Sequence, residues 1–296
     1  MILVTGGSGK LARRVLELLL QQGAGPLATT TRDPDRLADL ASRGVAVRQA
    51  DFAWDEERLL GVFQGARQML LVSTNTLEAW GRRFEQHERA IRAAAEAGVG
   101  RIVYTSITFP DPASPVPVAP DHWRTENLLR EIGVEYTLLR NNIYAESLLF
   151  LLPEAVRTGR LRAAAGNGRA AFVTREDCAR AAAGALLRGE SCRAYEISGP
   201  EALGFAELAR LAGELSGRQV AYESVDPRTR LADLKASGMD PMLAELQVGY
   251  ERAIAEGLLD LVTRDVERLS GQPAIATSEF LREQAGQWAR IQIERI

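Results

Sequence analysis

An α/β fold is predicted, a doubly wound parallel sheet followed by a smaller, mostly helical C-terminal lobe, and three observations predict it. A short apolar run opens the chain and stops at a glycine cluster. Strand-like runs then alternate with helical segments up to about Arg140. Beyond that point the rhythm breaks into short strands and a helix-rich remainder.

Ile2 to Val4 reads as a buried strand, and Leu11, Val15, Leu18 and Leu19 mark a helix that follows the glycines at once. Pro26 to Thr31 is the second strand, ending at Arg32-Asp33-Pro34. A helix over Pro34–Arg43, a third strand over Val45–Ala50 and a helix over Glu56–Gln64 come next. Gln68–Ser73 is apolar and strand-like, and Trp80–Ala97 is a long amphipathic helix closed by Gly98. Arg101–Ser106 is β-branched and aromatic, which predicts the fifth strand. Thr108–Pro120 holds five prolines and is read as a loop. A helix over Asp121–Ile132 and a sixth strand over Glu135–Arg140 complete the alternation, which implies parallel pairing through crossovers.

In the second half, Ala170–Val173, Ala194–Ile197 and Gln219–Val225 read as short strands, with helices over Arg175–Leu187 and Phe205–Ser216. The expected division is a nucleotide-binding part over 1–145 and a substrate lobe over 146–296, within one folding unit.

The N-terminal strand, glycine turn and helix start form a Rossmann-type arrangement, which holds a dinucleotide pyrophosphate. Gly6 permits the turn, Gly9 lets the backbone approach the phosphates, and Ala12 leaves room for helix–strand packing. The unpaired N–H groups and the positive helix end then face the anion, and Ser8, Lys10 and Leu11 are assigned with the glycines to the cofactor. A P-loop is rejected, because Leu11 stands where that loop needs Ser or Thr and the spacing from Gly6 is too short.

The residue ending the second strand faces the adenosine ribose. Arg32 occupies that place where an acid would select NAD, and Lys10 adds a second cation, so the expected cofactor is NADPH (NADP). The alternative for Arg32 is a solvated surface residue. Asp51 and Phe52 are assigned to the adenine pocket, with helix capping as the alternative role for Asp51. Ser73, Thr74 and Asn75, and Tyr104, Thr105 and Ser106, are assigned to the ribose and nicotinamide, because carboxyl ends of parallel strands line the ligand crevice.

The chain has 296 residues, 46% of them hydrophobic, and a formal charge of -3, which gives no electrostatic reason to expect nucleic acid or an anionic membrane as partner. No apolar run reaches membrane-span length, and the N-terminus enters a strand directly, so a cytoplasmic protein is expected. Cys178 and Cys192 lack metal-ligand spacing and are expected reduced in helical surroundings, and two histidines, His87 and His122, are too few for a histidine metal site. No metal is expected, and the state is monomer or homodimer.

Gly6-Gly-Ser-Gly-Lys-Leu-Ala12, Thr31-Arg-Asp-Pro34, Gln49-Ala-Asp-Phe52, Tyr104-Thr-Ser106 and Tyr136-Thr-Leu-Leu-Arg-Asn141 resemble the atypical short-chain dehydrogenases of the NmrA-like group. Within it the resemblance is to bacterial NADPH:quinone oxidoreductases and triphenylmethane reductases, with flavin-free azoreductases as further relatives. It extends through Ala164–Gly168, Arg175–Asp177 and Ser198–Pro200.

The Tyr-x-x-x-Lys pair of ordinary short-chain dehydrogenases is missing, since the lysines are Lys10 and Lys235. The resemblance implies a lysine after Thr125-Glu126, where this chain has Asn127. A simple ketone needs a proton as hydride arrives, whereas a conjugated acceptor spreads the incoming charge. The expected activity is therefore a flavin-free two-electron reductase of planar conjugated small molecules (quinones, azo or triarylmethane dyes). The alternative is a dinucleotide-binding redox sensor without catalysis. Candidates around the acceptor are Phe109, His122, Asn141, Asn142, Tyr144 and Phe150, of which His122, Tyr144 and Asn142 are given catalytic roles. For His122 the alternative is a helix-start histidine bonded to backbone, and His87 is read as structural.

Overall fold

Ile2–Val4 (β1) is flanked on both sides by parallel neighbours, Leu27–Thr31 (β2) and Gln68–Leu71 (β4). That placement explains its unbroken apolar character, because both faces of a central parallel strand are covered. The computed structural model that shows this describes residues 1–74 and 82–291. Ala46–Gln49 (β3), Arg101–Ile107 (β5), Glu135–Asn141 (β6) and Arg193–Ile197 (β9) complete a seven-stranded parallel sheet in the order β3-β2-β1-β4-β5-β6-β9. Strand order reverses between β1 and β4, which is where an open α/β sheet binds its ligand.

Helices cover both faces. Lys10–Gln21 (α1), Arg175–Arg188 (α7) and Asp265–Ser270 (α11) pack on one, around Val4, Leu70, Val103, Leu139 and Ile197. Glu56–Phe63 (α3), Arg83–Glu96 (α4) and Ala119–Glu131 (α5) pack on the other, around Leu3, Met69, Ile102, Tyr104 and Leu138. The segment expected as one helix over Pro34–Arg43 begins as a 3-10 turn, Pro34–Leu37, before Ala38–Ser42 (α2), because the Asp33 side chain caps the Asp35 amide at once. Helix α5 starts two residues earlier than expected, with Pro120 in its first turn, a position where a missing N–H costs nothing.

The second half departs from expectation in a way that matters. Ala194–Ile197, expected in a separate lobe, lies in β9 and extends the main sheet beside β6. The preceding α7 packs along α1, joined to it by Arg14–Glu176. The sheet therefore runs across the expected boundary at 145. What stands apart is a third apolar cluster, built on Leu148–Thr158 (α6), Phe205–Ser216 (α8), and parts of Pro241–Ala255 (α10) and Thr277–Ile291 (α12). Pro227–Ala236 (α9) packs against α10. Two small sheets serve this lobe: Arg160–Ala163 (β7) pairs with Ala221–Ser224 (β11), and Arg169–Ala170 (β8) with Leu203–Gly204 (β10). The strand expected over 170–173 is thus two residues long, and its sequel instead bridges Val173 to Tyr144.

Candidate functional site

The chain turns sharply after β1 because Gly6 sits at φ +69°, a conformation that costs glycine little. Gly6 N–H donates to Thr30 Oγ1 (3.2 Å) and Gly7 N–H to the Thr30 carbonyl (2.8 Å), which ties the turn to β2. Gly7 is a residue that sequence reasoning missed: a Cβ there would lie 2.2 Å from Thr29 Oγ1, so the turn closes only over glycine. Gly9 is the N-cap of α1 and supplies no side-chain cap. The amides of Lys10, Leu11 and Ala12 therefore lack intrahelical acceptors, and the end of the helix dipole is open to an anion. Leu11 itself is buried in the core, and only its backbone belongs to the turn. Ser8 is exposed, its Oγ 3.4 Å from Thr31 Oγ1.

Lys10 and Arg32 stand exposed beside this turn, with no hydrogen bond or ion pair to either side chain among the described residues. Their neighbours differ: Arg13 is paired with Glu17 and Asp39, and Arg14 with Glu17 and Glu176. Asp51, after β3, uses Oδ1 to accept the Ala53 amide (2.9 Å), and Phe52 packs edge-on against Phe63 while its carbonyl takes Arg89 Nε (3.0 Å). Part of the Asp51 carboxylate is thus spent on its own turn.

At the end of β4, Ser73 and Thr74 are half-buried, and Asn75 lies outside the described residues. Tyr104, Thr105 and Ser106 do not form a strand end as expected. Pairing of Ile107 with Asn141 carries β5 one residue further, and all three side chains are buried and bonded inward. Thr105 Oγ1 accepts the Ser73 amide (2.8 Å), and Ser106 Oγ donates to Glu126 Oε1 (2.7 Å).

Tyr104 belongs to a buried polar cluster between α4 and α5. The Thr74 amide donates to His87 Nε2 (3.1 Å), so that nitrogen carries no proton and Nδ1–H donates to Thr125 Oγ1 (3.0 Å). Thr125 in turn donates to the Asp121 carbonyl (2.7 Å). Arg83 donates to His122 Nε2 (3.2 Å), which fixes His122 Nδ1–H toward the Tyr104 oxygen (2.7 Å). Both imidazoles are held neutral. Burial, helped by Arg83, lowers His87 from 6.5 to about 3 and takes His122 well below its ordinary value, while burial raises the Tyr104 phenol.

A stability prediction follows from these directions. As pH falls below about 6.5 the unfolded chain protonates His87 and the folded chain does not, so stability drops progressively toward pH 3. In thermal melts over this window His87→Gln should lose less Tm than the parent. Parallel curves would remove His87 from the account.

His122, 1% exposed with both ring nitrogens engaged, is therefore walled off from the place where a proton donor was expected. Asn142 is also committed: Nδ2 donates to the Leu259 carbonyl (3.0 Å) and Oδ1 accepts the Ile143 amide (2.8 Å), which fastens the end of β6 to the lobe. Tyr144 is placed differently. It is half-buried, its oxygen accepts Asn141 Nδ2 (3.3 Å), and its own proton has no acceptor among the described residues. Burial raises its pKa, so the group is a neutral phenol.

Phe109 and Phe150 do not join this pair. Phe150 is 87% exposed on α6. Phe109, at φ +54°, lines a cavity of about 400 Å³ on the side of α5 away from α4, with Trp123, Leu258 and Leu261. The floor of that cavity is an ion network that sequence reasoning also missed. Arg140 bonds Glu126 (2.7 Å) and Glu196 (3.0 Å), and Arg130 bonds Glu126 (2.8 Å). Cys178 is buried in α7, whereas Cys192 is exposed outside any helix, contrary to expectation, and both are free thiols.

The chain is similar to known proteins over nearly its whole length. Quinone oxidoreductase 2 of Escherichia coli is 35% identical over 281 residues, spanning 94% of this chain and 96% of its own length. NAD(P)H azoreductase of Xenophilus azovorans is 27% identical, spanning 96% and 98%. The structure of Citrobacter sp. triphenylmethane reductase complexed with NADP(H) superposes with a TM-score of 0.87 at 29% identity, covering 96% of this chain and all of that one. Residues 1–260 match the model of the NmrA-like family, and with that coverage the chain belongs to the NmrA-like family.

Proposed function

We propose that this protein is an NADPH-dependent, flavin-free reductase that transfers two electrons as hydride to planar conjugated acceptors such as quinones, azo dyes or triarylmethane dyes. The observation that carries the reading is an uncapped α1 N-terminus flanked by two cations, Lys10 and Arg32, that lack partners among the described residues. Anion-binding amides with spare positive charge suit a pyrophosphate and a 2′-phosphate. The names of the relatives, a quinone oxidoreductase, an azoreductase and a triphenylmethane reductase, support the acceptor class.

When bound, NADPH supplies the hydride from its reduced nicotinamide. The protein's part is to hold the pyrophosphate at Gly6–Leu11, the 2′-phosphate at Arg32 and the adenine beside Asp51 and Phe52. Ser73 and Thr74, held by Thr105 and His87, shape the middle of the crevice. Tyr144 provides an O–H to an acceptor oxygen or nitrogen as charge arrives. His122 and Asn142, given catalytic roles on sequence grounds, act through position: the first braces Tyr104 and Arg83, the second the lobe.

Loss of NADPH absorbance by flavin-free protein, with and without a panel of quinones and dyes, tests the reading. Acceptor-dependent oxidation is expected. Tight NADPH binding with no oxidation across the panel would favour a redox sensor instead. Tyr144→Phe should lower kcat with a quinone on the order of 100-fold, the low end for general-acid catalysis, without lowering Tm. Because its pKa is raised, the phenol stays protonated as pH rises, so kcat should be flat between about pH 6 and pH 9. A titration near neutrality would move proton donation to another group.

A further inference from the structure

Asn141 carries a buried acceptor that nothing in the described structure satisfies. The residue is 7% exposed, Nδ2 donates to the Tyr144 oxygen, and Oδ1 has no hydrogen-bond partner. Leaving a buried amide oxygen unpaired is costly, so its persistence beside a proposed crevice calls for a donor from beyond the described residues, and a bound ligand supplies one. Exchanging the amide's oxygen and nitrogen does not remove the deficit. The oxygen would then meet the Tyr144 hydroxyl, and the amide nitrogen would be left unpaired instead.

Its direction is fixed by the strand. Along β6, Leu138 enters the core under α4 and α5, Leu139 the core under α1 and α7, and Arg140 reaches Glu126 on α5. Alternation turns Asn141 back to the α1–α7 side, where Tyr144 also packs. The glycine turn lies at the α1 N-terminus on that same side. From β1 to β6 there are three strand spacings, through β4 and β5, or about 14 Å along the carboxyl edge of the sheet. A dinucleotide anchored by its pyrophosphate at the turn and lying along that edge brings its nicotinamide end toward Asn141.

We propose that Asn141 orients the nicotinamide, Oδ1 accepting an N–H of the ring's carboxamide while Nδ2 holds Tyr144 with its proton directed at the acceptor. This rests on the cofactor reading above and adds a residue that sets which way the ring lies. One side chain thereby places both hydride donor and proton donor.

The test compares NADP⁺ with its 3-acetylpyridine analogue, which has a methyl ketone in place of the amide and so lacks the N–H. Dissociation constants are measured calorimetrically without turnover. The parent protein should favour NADP⁺ roughly tenfold, as one buried hydrogen bond warrants. Asn141→Leu should abolish the preference by weakening NADP⁺ alone, and Asn141→Asp, which keeps an oxygen acceptor, should retain it. Should the leucine variant fail to fold, the same ratio is read from Asn141→Ala. Equal weakening of both cofactors, or an unchanged ratio, overturns the proposal and leaves Asn141 a structural residue. Failure of the parent to bind either cofactor sinks the cofactor reading itself.

Discussion

Arg32→Ala is expected to collapse the preference for NADPH over NADH, by raising the NADPH KM while leaving that for NADH nearly unchanged. A charge-assisted hydrogen bond is worth about 1.5–3 kcal/mol, which corresponds to roughly 10- to 150-fold in kcat/KM for NADPH. The guanidinium has no hydrogen-bond or ion-pair partner among the described residues, so removal breaks no polar contact there and Tm should not move. Lys10 lies across the turn and supplies charge without a bidentate fork, so the preference should fall more for Arg32→Ala than for Lys10→Ala. An unchanged cofactor ratio in Arg32→Ala would make this arginine a solvated surface residue and leave the 2′-phosphate without its site.

The largest expected loss of stability is at Glu126, which nothing in the reaction uses directly. Its carboxylate is 1% exposed and accepts from Ser106, Arg130 and Arg140. Glu126→Gln leaves Arg140, a quarter exposed, with Glu196 as its remaining carboxylate, so the loss is that of charge-assisted hydrogen bonds, about 1.5–3 kcal/mol. With an unfolding entropy of ~2.1 cal/mol/K per residue, that lowers Tm by roughly 2–5 °C. Ser106, Arg140 and Glu196 lie in register across β5, β6 and β9, so the damage falls where three strands are stitched together. Arg140→Met, which removes the cation as well, should be milder in combination with Glu126→Gln than the sum of the two single changes. Additive losses in that double-mutant cycle would mean that the two side chains are not energetically coupled.

The parts of the site legible in the sequence are those with local causes. Gly6 needs its positive φ because of the turn it occupies, and α1 begins where its apolar spacing begins, so the first twelve residues could be read unaided. The place of Arg32 directly after β2 was legible for the same reason, since it follows on a β-rich run. The inward turn of Tyr104–Ser106 was not, because β5 ends where β6 stops pairing with it, and that is decided some 34 residues later in the chain. His122 looked available on α5, but Arg83 and Tyr104, 39 and 18 residues away, close both of its nitrogens. The Glu126–Arg140–Glu196 network was hidden too, since its members are spread over 70 residues and meet only through strand register. Family resemblance carried fold and relatives correctly, yet the roles of His122 and Asn142 depend on which atoms their neighbours already occupy.

The position of β9 has a consequence for how the molecule is put together. The chain leaves the sheet after β6, builds α6, β7 and β8 in the lobe, returns with α7 and β9, and then departs again. Two crossings sew the N-terminal half to the lobe, and the second contributes the strand that protects the edge of β6. Cut at residue 145, the first half would present Glu135–Asn141 as a bare seven-residue margin, with its backbone groups open to any passing strand. The halves are therefore not interchangeable modules. A graft that swaps C-terminal lobes between relatives must carry residues 175–197 with the N-terminal half, or it leaves β6 an open edge.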